Sequence, residues 1–251
     1  MNPSIPQQRI AEKLDECMSR RDLSGAERLL TYWLEEARAC GDGRGELMVL
    51  NELIGHYRKT SQREPALSCI RDALDLLARL SMEDTLSAGT TCVNAGTALN
   101  SFGEHDRALS IFERALSIYR RGEGVTPSLL GGLYNNMGLA LSSLSRHDEA
   151  LAAFDHAMEQ MRRVTCGELE QAITCLNMAD TLSARDGMPG AEPSVFPLVE
   201  RAAELLRTPG IPHDGYYAFV CEKCAPSLEY YGWFADAQEF REEARAIYER
   251  P

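Results

Sequence analysis

Tyr134–Met158, YNNMGLALSSLSRHDEALAAFDHAM, reads as a helix, a tight turn and a second helix. Shifted back by 42 residues it falls on Cys92–Leu116, CVNAGTALNSFGEHDRALSIFERAL. Asn136 then lies on Asn94, Gly138 on Gly96, His147 on His105 and Asp148 on Asp106. Ala150, Leu151, Phe154 and Ala157 lie on Ala108, Leu109, Phe112 and Ala115. A fixed period of this length is the signature of stacked helical hairpins, each burying its apolar face against its neighbours. The expected fold is an all-α solenoid of about six antiparallel hairpins.

The flanking sequence continues the pattern. The chain of 251 residues holds six such periods, so one elongated domain over 5–251 is expected. Its hairpins fall at 5–40, 45–80, 84–121, 126–163, 168–207 and 213–250, with turns centred near 22, 62, 104, 146, 189 and 232. Residues 1–4 read as a frayed end. In the first hairpin RDLSGA (Arg21–Ala26) reads as the turn, and GDGRG (Gly41–Gly45) as a clean break before a helix starting at Glu46. Pro65 sits where a helix begins and its missing N–H costs little. The fifth turn, DGMPGAEP (Asp186–Pro193), is about four residues longer than the others. Pro226, inside the sixth hairpin's first helix, should kink it. In the last helix Arg241 and Arg245 stand in slots held by Phe112 and Leu116, leaving one charged face suited to the end of a stack.

Composition narrows the function. The net charge is −12, and Lys and Arg occur no more densely than in pairs, so the basic stripe of a nucleic-acid binder is missing. No apolar run is long enough to span a membrane. The first residues lack the basic start and apolar core of a signal peptide. With eight irregularly spaced Cys, this points to free thiols and a cytoplasmic location.

These hairpins resemble the tetratricopeptide repeat. In the fourth, Tyr134, Met137, Gly138, Leu141, Ala150, Phe154 and Ala157 fill that repeat's signature slots. In the third, the slots hold Cys92, Ala95, Gly96, Leu99, Ala108, Phe112 and Ala115. The period departs from the usual 34, and no Pro closes the repeat after Ala115 or Ala157. Longer repeats with Asn on the first helix look like the kinesin light chain subgroup. The resemblance implies a right-handed superhelix whose first helices line a concave groove, in which Asn side chains hold an extended peptide.

No catalytic motif is present, and no cofactor is implied. His105 and His147 share a slot that packs the hairpin turn. The single CxxC, Cys221 and Cys224, falls on apolar slots and lacks two of the ligands that zinc needs, so no metal is expected. Tyr216, Tyr217, Phe219, Tyr230 and Tyr231 form the most aromatic stretch, with half or more of these rings expected in the core.

The sharpest signal is a column of amides. Asn94, Asn136 and Asn177 share one first-helix slot that core filling does not explain. Asn51 is one residue off it, and Lys223 takes it in the sixth hairpin. With Thr97 and Asp180 these form the candidate peptide site, and Asp180 points to a basic residue in the ligand. The alternative for the column is that each Asn caps a turn or bonds across hairpins. The expected function is a non-catalytic scaffold that holds a partner peptide. The other readings are a structural or self-associating module, and a regulatory sensor acting through a separate effector chain.

Overall fold

The computed structural model describes residues 4–188 and 190–250. It divides into two compact units, Met1–Gly124 and Val125–Pro251. Among the described residues there are twelve α-helices and no strand. The first unit holds α1 (Gln7–Ser19), α2 (Leu23–Cys40), α3 (Gly43–Lys59), α4 (Arg63–Arg79), α5 (Leu86–Ser101) and α6 (His105–Arg121). The second holds α7 (Pro127–Ser143), α8 (His147–Met161), α9 (Glu168–Asp186), α10 (Glu192–Leu206), α11 (Gly215–Tyr230) and α12 (Phe234–Tyr248). Consecutive helices pair as hairpins. Within each unit the first helices also neighbour one another, α3 with α5, then α7 with α9 and α9 with α11. The all-α solenoid architecture is thus present in both.

Each hairpin turns through a residue with positive φ: Arg21, Ser61, Gly103, Ser145, Gly187 and Gly232. Five of these turns close with a backbone bond that skips five residues, as from Gln62 N to Tyr57 O at 2.8 Å and Arg146 N to Leu141 O at 2.9 Å. That bond satisfies a carbonyl the helix end would otherwise orphan. Helix starts are capped by side chains. Asp22 accepts from Gly25 N, Asp42 from Gly45 N, Thr85 from Ala88 N and Thr126 from Leu129 N.

Several local expectations need correction. The first turn is shorter than RDLSGA, because Asp22 caps a helix that already begins at Leu23. Only Gly41 and Asp42 break the chain between α2 and α3, and the two later glycines lie within the first turn of α3. They suit the packing there: a Cβ at Gly43 would come within 2.9 Å of Leu80, and one at Gly45 within 2.6 Å of Ile5. Pro226 lies inside α11, which runs on to Tyr230. Pro197 in the interior of α10 is equally tolerated. Position 189, at the centre of the fifth turn, and the termini 1–3 and 251 lie outside the described residues.

The repeat's small residues have a plain steric role. A Cβ at Gly96 would lie 2.5 Å from Phe112, and one at Gly138 would lie 2.4 Å from Phe154. Both rings are fully buried. A second pair of contacts shares the period: Gly89 against Tyr119 and Gly131 against Met161, at 2.3 and 2.5 Å. These glycines let a large side chain of the second helix lie on the backbone of the first, where any Cβ would force the helices apart. Cys221 and Cys224 are core residues of α11, and burial pushes both thiols up to about 12. All eight Cys are free.

Candidate functional site

The first helices of each unit carry side-chain amides that meet across hairpins. In the first unit Asn94 Nδ2 on α5 donates to Asn51 Oδ1 on α3 at 2.9 Å. Asn51 Nδ2 donates to Thr91 Oγ1 at 3.0 Å and to Leu47 O, one turn earlier, at 2.8 Å. Thr91 Oγ1 donates onward to Ser87 O at 2.9 Å. In the second unit Asn177 Nδ2 on α9 donates to Asn135 Oδ1 on α7 at 2.9 Å, and Thr174 Oγ1, whose shorter bond is to Glu170 O at 2.8 Å, lies 3.2 Å from the same oxygen. The two clasps share one design. A Thr and an Asn one turn apart on the later helix grip a single Asn on the earlier one. Asn135 follows Asn51 by two periods of 42 residues.

This places the predicted residues unequally. Asn51 is one residue off the column because neighbouring helices meet with that offset, and it is therefore the partner of Asn94. In the second unit the clasped residue is Asn135, which the column reading passed over in favour of Asn136. The signal was available: a polar residue one position before the slot, at 51 and again at 135, with a Thr three before the slot in the following repeat. Asn136 is half-buried beside Asn135 and lines the same cavity. Thr97 spends its hydroxyl on Val93 O at 2.8 Å and lies outside the cavities. Asp180 accepts from Tyr231 Oη at 2.8 Å and from Ser227 Oγ at 3.4 Å. Desolvation between α9 and α11 raises its carboxyl pKa, against the opposing pull of those two bonds.

Both clasps open onto cavities within their own unit. The first unit's cavity, about 850 Å³, is bounded by Arg44, Met48, Asn51, Leu86, Thr90 and Asn94 among others. The second unit's, about 150 Å³, is lined by Asn135, Asn136, Ile173, Tyr216, Phe219 and Lys223 among others. Of the five aromatic residues grouped by sequence, only Tyr217 and Tyr231 are core. Tyr216, Phe219 and Tyr230 are exposed by 47, 50 and 72%, because they follow the face of α11 that no helix covers. Tyr216 Oη donates to Glu170 Oε1 at 2.9 Å, and its ring stacks near Phe219 at 6.1 Å. Burial first, and then Glu170, raise the Tyr216 hydroxyl pKa.

Elsewhere, His105 Nδ1 lies 2.7 Å from Asn100 Oδ1, which anchors the turn of the third hairpin. Among the described residues no group of three His, Cys, Asp or Glu has metal-holding geometry, and no helix is long and apolar enough to cross a membrane.

Two family models, each described as a tetratricopeptide repeat, match residues 46–121 and 131–168. The chain carries tetratricopeptide repeats. Solved structures share the fold. The nearly identical kinesin light chain TPR-like repeats of Podosopora anserina superpose with a TM-score of 0.55 at 16% identity, over 80% of this chain and 94% of theirs. BtubC (BKLC) of P. vanneervenii gives 0.55 at 19% identity, over 97% of this chain and 91% of its own. MamA protein gives 0.52 at 14% identity, over 80% of this chain and 92% of its own. A search of curated proteins gave no significant match. Repeats of this kind generally mediate protein–protein interaction.

Proposed function

We propose that the first-helix faces hold an extended segment of a partner protein by its backbone, with no catalysis. The observation that carries this reading is the pair of clasped amides beside cavities. Once Asn94 has given one N–H to Asn51, it keeps a carbonyl and a second N–H. Asn177 keeps the same set after donating to Asn135. A primary amide so held can pair with both the N–H and C=O of a peptide without reading its sequence. Its own bonds fix its orientation before the ligand arrives, which lowers the entropic cost of binding. Asn136 adds a further amide beside the second cavity. A basic residue in the partner suits the chain's charge of −12.

The same bonds favour a second reading, in which the clasps only fasten one hairpin to the next. Selection of a random peptide library on the full chain separates the two. Enriched peptides should lose affinity by several-fold for each of Asn94→Ala, Asn136→Ala and Asn177→Ala, the usual net worth of one hydrogen bond. Absence of enrichment, or unchanged affinity in a folded triple variant, sinks the peptide reading.

A further inference from the structure

The two cavities differ in more than size. At about 850 Å³ the first unit's cavity is an open trough with adaptable Met48 and Met82 along it. The second unit's, at about 150 Å³, is too small for a drug-sized ligand or a length of peptide. It is the size at which an engineered apolar cavity takes up a benzene ring. Its floor is Met161 and Ile173, both buried, and one wall is open above Gly132, where an added Cβ would meet nothing within 4 Å. Its opposite wall is the stacked Tyr216 and Phe219 pair, with ring planes 25° apart. The bond from Tyr216 to Glu170 ties that wall to α9, so the wall is set before any ligand arrives. One cation, Lys223, and one anion, Glu170, stand among the lining residues, and their charges balance.

We infer that this cavity seats one uncharged apolar side chain of the bound peptide, a phenyl or branched aliphatic group. This rests on the peptide reading of the first-helix faces and adds to it the residue that the second unit selects. The aromatic wall gives a ring edge or a branched methyl group close contact from one side, and Met161 and Ile173 give it from the floor. An indole is bulkier than the benzene ring that a cavity of about 150 Å³ takes up. A charged side chain would be desolvated with no net opposite charge in the lining to offset that cost. Backbone amides of the peptide then reach Asn136 at the mouth of the same cavity. Phe219, Tyr216 and Gly132 are thus specificity-determining residues, while the clasped asparagines hold the backbone.

The test uses the full chain labelled at Met and Ile methyl groups and four probes: the N-acetyl amides of phenylalanine, leucine, tryptophan and lysine. Phenylalanine and leucine probes should shift the Met161 and Ile173 methyl signals saturably, while the tryptophan and lysine probes leave them in place. Gly132→Leu should abolish the shifts, because the new side chain enters the cavity from its open side without crowding the helix and with better helix propensity. Phe219→Ala should weaken the phenylalanine probe roughly 2- to 10-fold, the span of an aromatic pair contact. The inference is overturned if neither apolar probe shifts these methyls, if the tryptophan or lysine probe does so equally, or if Gly132→Leu changes nothing. Peptides that enrich and depend on the asparagines, together with silent methyls, would remove this inference and leave the backbone reading standing. Seating of the probes with no peptide ever enriched would remove both.

Discussion

Replacing Gly138 and Gly132 by Ala, one at a time, isolates the steric role of the repeat's glycine. Both residues lie inside α7, six positions apart, so the gain in helix propensity, about 1 kcal/mol, is common to the two variants and cancels in their difference. What remains is the fit of one methyl group. At Gly132 it meets nothing within 4 Å. At Gly138 it would lie 2.4, 2.6 and 2.7 Å from three carbons of the Phe154 ring. Normal carbon contacts are about 3.5–4.0 Å, so the ring must retreat by roughly 1 Å or the helices must splay. Phe154 is fully buried and cannot swing into solvent. Overpacking of this kind costs about 1–3 kcal/mol. Gly132→Ala should therefore be more stable than the parent by up to about 1 kcal/mol, and Gly138→Ala should fall about 1–3 kcal/mol below Gly132→Ala. Urea unfolding of the full chain, followed by circular dichroism, measures the difference. Phe154→Leu should relieve part of the loss in the Gly138→Ala background. Equal stability of the two single variants, or no rescue, refutes the argument.

Three further outcomes follow from the same geometry. Asn51→Ala and Asn94→Ala should show a coupling of about 1 kcal/mol in a double-mutant cycle of stability. Additive effects would mean that the bond between them contributes nothing. Native-state labelling with a thiol reagent should modify Cys166 first, because it is the exposed thiol. Cys166→Ser should remove that fast phase, and Cys175, Cys221 and Cys224 should react only on unfolding. Stability should be lost as pH rises from 9 toward 12. Burial raises Cys69 and Cys175 to about 11 and Cys221 and Cys224 to about 12, so between the ordinary value of 9.0 and these values the unfolded chain gives up protons that the folded chain keeps. Their contribution is fully present below pH 9, and Cys221→Ala with Cys224→Ala should flatten the alkaline slope of urea midpoints. An unchanged slope in that variant would assign the loss to other groups.

The sequence by itself determined the helices, their pairing and the turns between them. Helix periodicity and the 42-residue recurrence are local properties, and a solenoid is assembled from local contacts. The recurrence of Gly96 with Phe112 and of Gly138 with Phe154 was legible as pattern, and the tight approach it serves follows from the absence of a Cβ. Helix starts were less legible: Asp22 and Asp42 cap helices that begin earlier than Ala26 and Glu46 suggested, because a side-chain cap lets glycine and serine enter the first turn. The tertiary structure alone decided which amides meet. A column read at one slot treats Asn136 as the equal of Asn94, but neighbouring helices pack with a one-residue offset that no single repeat encodes. Asn51 and Asn135 are therefore the clasped residues. It also decided that Asp180 spends its oxygens on Tyr231 and Ser227, that Tyr217 and Tyr231 are core, and that Tyr216 and Phe219 face outward beside a small cavity. Adjacent aromatic positions on a helix differ by about 100° in direction, and only the packed neighbour determines which of those directions is buried.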